Sequence, residues 1–382
     1  MIFIKGSHRV IAFIYHVIHS ELRHATLPCQ LPTITTAPIS TDPKLQNTHK
    51  SKHNQTHKIS LMDVKLRTAR SLVSKLSSVS VQTRSEALKE LRLITKHDAD
   101  SRPLVADVGA IPYLAETLFG SSPDFQDDAA ATLLNISISC RQSLISTRGL
   151  LDAISHALRH HSSPTSSATA VQSSAGTLHS LLVVEDYRPI IGAKRDIVYS
   201  LIDIVKSPKL PPRSVKDALK ALFGIALCPS NRASLVELGA VPALFTLLVN
   251  DGRLGIVEDA TAVIAQVAGC EESADAFRRV AGVRVLADLL DFSTGSSLRS
   301  RENAVSALLN LTRCSGERAV VEVREEGLGV VDGIADVAEN GGPKGNSKGV
   351  ALLKVIDGGN RSISSIFRDP RFDSLLRQSS LN

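Results

Sequence analysis

His49, His53 and His57 recur at every fourth residue. On a helix that spacing puts them on one face, and pairs of this kind can hold a metal. Here they stand among Lys50, Lys52 and Lys58, with no carboxylate or thiol between residues 46 and 58. A second cation is disfavoured beside those lysines, so the segment reads as a solvated polar stretch and no metal or cofactor is expected. Cys140, Cys228, Cys270 and Cys314 are too widely spaced for a zinc module and read as small packing residues. Asp127, Asp128, Asp217, Glu258, Asp259 and Glu302 stand at the openings of apolar runs. They could form an acidic rim for a basic partner. The favoured reading is plain stabilisation of helix starts, worth about 0.3–1 kcal/mol each. There is no phosphate loop, nucleophile elbow, HExxH or Cys–His constellation, so no catalysis and no small-molecule substrate are expected.

Composition narrows the elements that position these residues. The 382 residues are 43% hydrophobic and 4% aromatic, without Trp. A core of Leu, Val, Ile and Ala with so few rings fits packed helices. The five cysteines, an odd number without close pairs, point to a reducing compartment, cytoplasmic or nuclear. The net charge of +6 is concentrated at the ends, where residues 1–60 carry seven Lys and Arg against Glu21 and Asp42. The body between the ends is nearly neutral, which argues against nucleic acid as a partner. No apolar run reaches the ~20 residues of a membrane span. The run at residues 10–18 is broken by His16, and no cleavage pattern follows it closely, so it is not read as a signal peptide. Residues 1–61 read as a disordered basic leader and 359–382 as a flexible Ser/Arg tail.

Between them, residues 62–358 repeat themselves. DVGAIPYLAETL (107–118) returns as ELGAVPALFTLL (237–248). The glycine recurs as Gly109, Gly149, Gly192, Gly239, Gly282 and Gly327. Each follows a short apolar stretch and precedes a helical pattern, a polar loop and a second long helical pattern. The unit is therefore short helix, Gly turn, long helix, loop, long helix. Glycine permits the reversal, and Pro112 and Pro242 sit in the first turn of the next helix, where the missing N–H costs nothing. Asp128, Asp217 and Asp259 are placed in the first turn of the last helix. One unit cannot bury its apolar face alone, so about six or seven must stack.

This organisation resembles armadillo repeats. RSEALKELRLITKHDADSRPLVADVGAIPYLAETL (84–118), AAATLLNIS (129–137) and ENAVSALLNLT (302–312) are similar to the armadillo domain of plant U-box ubiquitin-ligase proteins. The resemblance spans roughly residues 65–357 and implies an all-α, right-handed α-α superhelix. It implies that the last helix of each unit lines a concave groove. The family's ladder asparagine, which grips the backbone of an extended peptide, falls on Asn135 and Asn310. The matching positions are Ser180, Gly224, Gln266 and Lys354, and the position four residues earlier includes Lys220. The expected rim is Asp128, Asp217, Asp259 and Glu302. Import-type adaptors pair the ladder Asn with a Trp, and this chain has none.

A U-box would carry a Cys-Pro-Ile core and a Trp-Leu end, and residues 1–60 offer only APISTDPKL (37–45). The expected function is thus a non-catalytic scaffold holding a protein segment in its groove, in ubiquitin-linked or signalling assemblies. The alternative is the armadillo portion of a U-box ligase whose U-box lies upstream of this sequence.

Overall fold

The computed structural model describes residues 47–358 apart from 121, 161–166 and 208, with residues 47–60 as backbone only. The leader up to residue 46 and the tail 359–382 lie outside the described residues. The array opens with α1 (Asn47–Leu76) and α2 (Val81–His97). Three-helix units follow: α3 (Ser101–Asp107), α4 (Ala110–Thr117) and α5 (Pro123–Ser137); α6 (Arg141–Ser146), α7 (Leu150–Arg159) and α8 (Ala168–Leu182); α9 (Tyr187–Gly192), α10 (Arg195–Lys206) and α11 (Pro212–Ala226). Next come α12 (Arg232–Glu237), α13 (Ala240–Asn250) and α14 (Leu254–Val267); α15 (Ser273–Arg279), α16 (Gly282–Leu290) and α17 (Leu298–Ser315); α18 (Glu317–Glu325), α19 (Leu328–Asn340) and α20 (Pro343–Asp357). No strand occurs among the described residues. The fold is an all-α solenoid.

Third helices pack side by side, α2–α5–α8–α11–α14–α17–α20, and second helices form a parallel row beside them. Apolar faces between the rows merge into one core that runs from Ala69 to Ile356. Each fully buried Leu or Ile in it contributes about 1.5–3 kcal/mol. Helix α1 starts well before the expected boundary at residue 62. Between Pro43 and Leu76 there is no Pro or Gly to stop it, so the polar segment continues the helix that Ala69, Leu72, Val73 and Leu76 anchor in the core.

The turn glycines divide by role. Gly109, Gly149 and Gly239 are left-handed, with φ of 88°, 82° and 84°. Gly282 is not the turn residue of its unit: Ala281 takes the left-handed position at φ 50°, and Gly282 begins α16. Space decides this, because a Cβ on Gly282 would lie 3.0 Å from Phe245 and 3.1 Å from Phe277. Gly192 likewise ends α9 with its Cα against Asn231. Pro112 and Pro242 each occupy the third position of their helix, inside the first turn, as expected.

Two glycine substitutions separate the roles. Gly239→Ala meets almost nothing and suffers backbone strain alone, about 1 kcal/mol. Gly333→Ala would place a Cβ 2.7 Å from the Leu290 carbonyl oxygen and Cβ, forcing α16 and α19 apart at about 2–3 kcal/mol. Urea unfolding should rank Gly333→Ala as the more damaging; the reverse order would contradict close helix approach as its reason.

Candidate partner-binding face

The side chains of the third helices sort by position. Counting from the ladder residue, positions six, five, three and two before it and one after it are buried in α5, α8, α11, α14 and α17. In α5 these are Ala129, Ala130, Thr132, Leu133 and Ile136. The ladder residue itself, with those four and eight before it, is less buried along the row, except for Gly224 and Ser306.

That burial pattern corrects the last unit. In α20 the buried residues Gly349, Val350, Leu352, Leu353 and Ile356 fit only if Val355, not Lys354, holds the ladder position. Lys354 is exposed one place earlier. The position six before the ladder is small in every unit: Ala129, Ser174, Ala218, Ala260, Ala304 and Gly349. Gly349 is there for space, since a Cβ would lie 2.9 Å from Ala338. Its glycine-rich surroundings read as a loop, which hid the register.

Asn135, Asn310 and Ser180 bond to the unit before them, and Gln266 to the first helix of its own unit. Asn135 Nδ2 donates to the Arg92 carbonyl at 3.3 Å and to Thr95 Oγ1 at 3.2 Å. Asn310 Nδ2 donates to the Ala265 carbonyl at 2.8 Å, and Ser180 Oγ to the Ser137 carbonyl at 3.0 Å. Gln266 Oε1 accepts from Arg232 Nη2 at 3.4 Å. Each Asn keeps its Oδ1, and Asn310 its second N–H, held in one rotamer by the bonds already made. At Gly224 there is no side chain, and a Cβ would lie 2.7 Å from Leu182 Cβ.

The acids lie deeper than expected. Asp128, Asp217 and Asp259 are each the sixth residue of their helix, and Glu302 is the fifth of α17, so none is in a first turn. The helices start earlier, at Pro123, Pro212, Leu254 and Leu298. The acids meet neighbours instead of helix dipoles. Asp128 Oδ1 pairs with Arg92 Nη1 at 2.8 Å. Asp259 lies 3.8 Å from Lys216 Nζ, and Asp217 lies 3.5 Å from Lys220 Nζ. Burial raises the pKa of both Asp217 and Asp259 above the usual carboxylate range, and the nearby lysines oppose the rise. Glu302 Oε1 accepts the Gly342 N–H at 2.6 Å. In α17 the same position holds Asn303, whose Nδ2 donates to the Glu258 carbonyl and to Thr261 Oγ1, both at 3.1 Å.

A set of arginines escaped the sequence reading. Arg102 Nε donates to the Thr95 carbonyl at 2.8 Å, Arg188 Nε to Leu182 at 3.2 Å and Arg232 Nε to Ala226 at 2.9 Å. Each caps the end of the third helix just before it. Arg141 Nε reaches forward to the Ser180 carbonyl at 2.9 Å, and Arg324 Nε to Ile356 at 2.8 Å. Their signal was repetition near the start of four first helices, at Arg102, Arg141, Arg188 and Arg232, which resembles ordinary surface charge. The repeat-phased cysteines are half-buried free thiols, and burial pushes the Cys270 thiol up to about 11. Among the described residues no three His, Cys, Asp or Glu side chains gather as a metal site.

With this geometry in place, comparison with known proteins is informative. Residues 69–365 match the plant U-box protein ARM repeat region. The chain belongs to this family. U-box domain-containing protein 18 of Arabidopsis thaliana is 28% identical over 291 residues, covering 75% of this chain and 41% of the relative. U-box domain-containing protein 16 of the same plant is 28% identical over 286 residues, covering 74% and 40%. The chain thus spans about two-fifths of these curated relatives. An engineered protein solved by the Northeast Structural Genomics Consortium superposes with a TM-score of 0.55 at 23% identity, covering 64% of this chain and 97% of that one. It shares the fold with this ARM repeat chain.

The ARM row contains a pH-sensitive residue, His179 on α8. Burial, with the Lys220 and Arg141 charges, lowers its pKa from the ordinary 6.5 to about 4. The neutral imidazole is the folded form, so its stabilising share is complete above pH 6.5 and is lost as pH falls toward 4. Thermal melts should show Tm falling through that window, and His179→Gln should flatten the fall. An unchanged pH profile in the variant would contradict this.

Proposed function

We propose that this ARM region is a non-catalytic scaffold that holds an extended segment of a partner protein along its third-helix face. One observation carries the reading: the outward positions of the row are left unfilled by the fold and differ from unit to unit. Leu93 on α2 is 55% exposed and Val183, just past α8, is 37% exposed, both apolar and both on this face. Four before the ladder, Ala131, Gly176 and Ala262 are small and half-buried, which leaves room beside them for a chain laid across the helices. The Oδ1 atoms of Asn135 and Asn310 supply fixed acceptors for its amides, while their Nδ2 groups hold the array together.

Membership in a family of U-box proteins favours one setting, the substrate- or partner-holding portion of a ubiquitin ligase. In that reading ubiquitin transfer belongs to a U-box outside residues 69–365. Without a Trp beside the ladder, recognition of nuclear-import signals remains the disfavoured use of the same face.

The test is affinity purification of the full chain against a Leu93→Arg/Val183→Arg variant, with folding checked by circular dichroism. Both substitutions fall on exposed positions and should leave the melting curve within a few degrees of the parent. The variant should lose the proteins that the parent retains specifically. Retention of every partner would exclude this face.

A further inference from the structure

The last two third helices carry a charge arrangement that the earlier ones do not. The position seven before the ladder holds Asp128, Asp217 and Asp259 in three units, but in α20 it holds Lys348. Lys348 Nζ donates to Ser306 Oγ on α17 at 2.8 Å, which fixes its ammonium over the face between the two helices. Lys344 precedes it by one helical turn, on the same side of α20. Arg313 lies exposed one turn beyond Asn310 on α17. Lys344 and Arg313 are both exposed, and neither makes a hydrogen bond or ion pair among the described residues.

These cations act on one another. Burial first, then the Lys344 and Arg313 charges, lowers the Lys348 pKa. Glu302 is the carboxylate that opposes this, and its Oε1 already accepts the Gly342 N–H. Like charges whose fields reach a half-buried ammonium favour an anion that relieves the repulsion.

We infer that the α17–α20 end of the face, formed by Arg313, Lys344 and Lys348, receives an acidic, carboxylate-rich stretch of the bound partner segment. This rests on the third-helix face being the partner groove, and it adds the partner's charge and its position along the row.

Fluorescence anisotropy of the full chain with fluorescein-labelled hexaglutamate, hexaglutamine and hexalysine tests it. Hexaglutamate should bind tightest, and its binding should weaken markedly between 50 and 200 mM NaCl, as screening demands. Arg313→Glu/Lys344→Glu should weaken it about tenfold or more. Arg70→Glu/Lys75→Glu makes the same charge change on exposed positions of α1, outside the third-helix row, and should shift it by less than about twofold. Equal weakening by both pairs would assign the effect to net charge and overturn the site, as would preference for hexalysine. Absence of hexaglutamate binding, in a chain whose partners are still stripped by Leu93→Arg/Val183→Arg, would overturn this inference and leave the groove reading standing.

Discussion

The seam between successive third helices is the constraint on which the rest of this structure depends. A three-helix unit exposes more apolar surface than it can bury, so its stability lies largely in its neighbours. The third helices must therefore lie close and in fixed register. Gly224, where a Cβ would lie 2.7 Å from Leu182 Cβ, shows how close α8 and α11 lie, while Gly349 makes room for Ala338 of α19. Two recurring contact levels then tie helix to helix: ladder bonds such as Asn310 to Ala265, and bonds seven residues earlier such as Asp128 to Arg92. The first-helix arginines close the carbonyl ends of the same row.

That division of labour shapes what the face can do. A ladder amide that has already donated one N–H is a poorer general-purpose gripping group but a better-oriented one, since its remaining acceptor cannot turn away. The positions left over are free to vary without loosening the seam. Along the row they run from Lys89 and Lys96 beside Leu93, through Asp124 and the mixed Lys216, Lys220 and Glu258 region, to Arg313 and Lys344 at the last. A partner segment meeting this row encounters a fixed order of charges, and specificity can arise from that order as well as from shape.

Much of the fold was legible because the repeat states its own grammar. Left-handed Gly109, Gly149 and Gly239, the prolines one step later and the phased leucines define the helices without reference to tertiary contacts. What stayed hidden is what depends on distance across units. Nothing in the residue Asn135 tells that its amide bonds a carbonyl 43 residues away. Ala281 replaced Gly282 as the turn residue because of two phenylalanine rings that are remote in sequence. The register of α20 was lost where close packing demands glycine, a residue that local reading assigns to loops. The acids were recognised as recurrent but given to helix starts, because only the packed array reveals Arg92 opposite Asp128 and Lys216 opposite Asp259.

The most direct measurement on the seam is a double-mutant cycle on Arg92 and Asp128, read by urea unfolding of Arg92→Ala, Asp128→Ala and the double variant. If these side chains join successive units, the two losses are non-additive, with a coupling of about 0.5–1.5 kcal/mol that persists at high salt because Asp128 is buried. Losses that add to within about 0.3 kcal/mol would contradict the seam as the interaction that organises this protein.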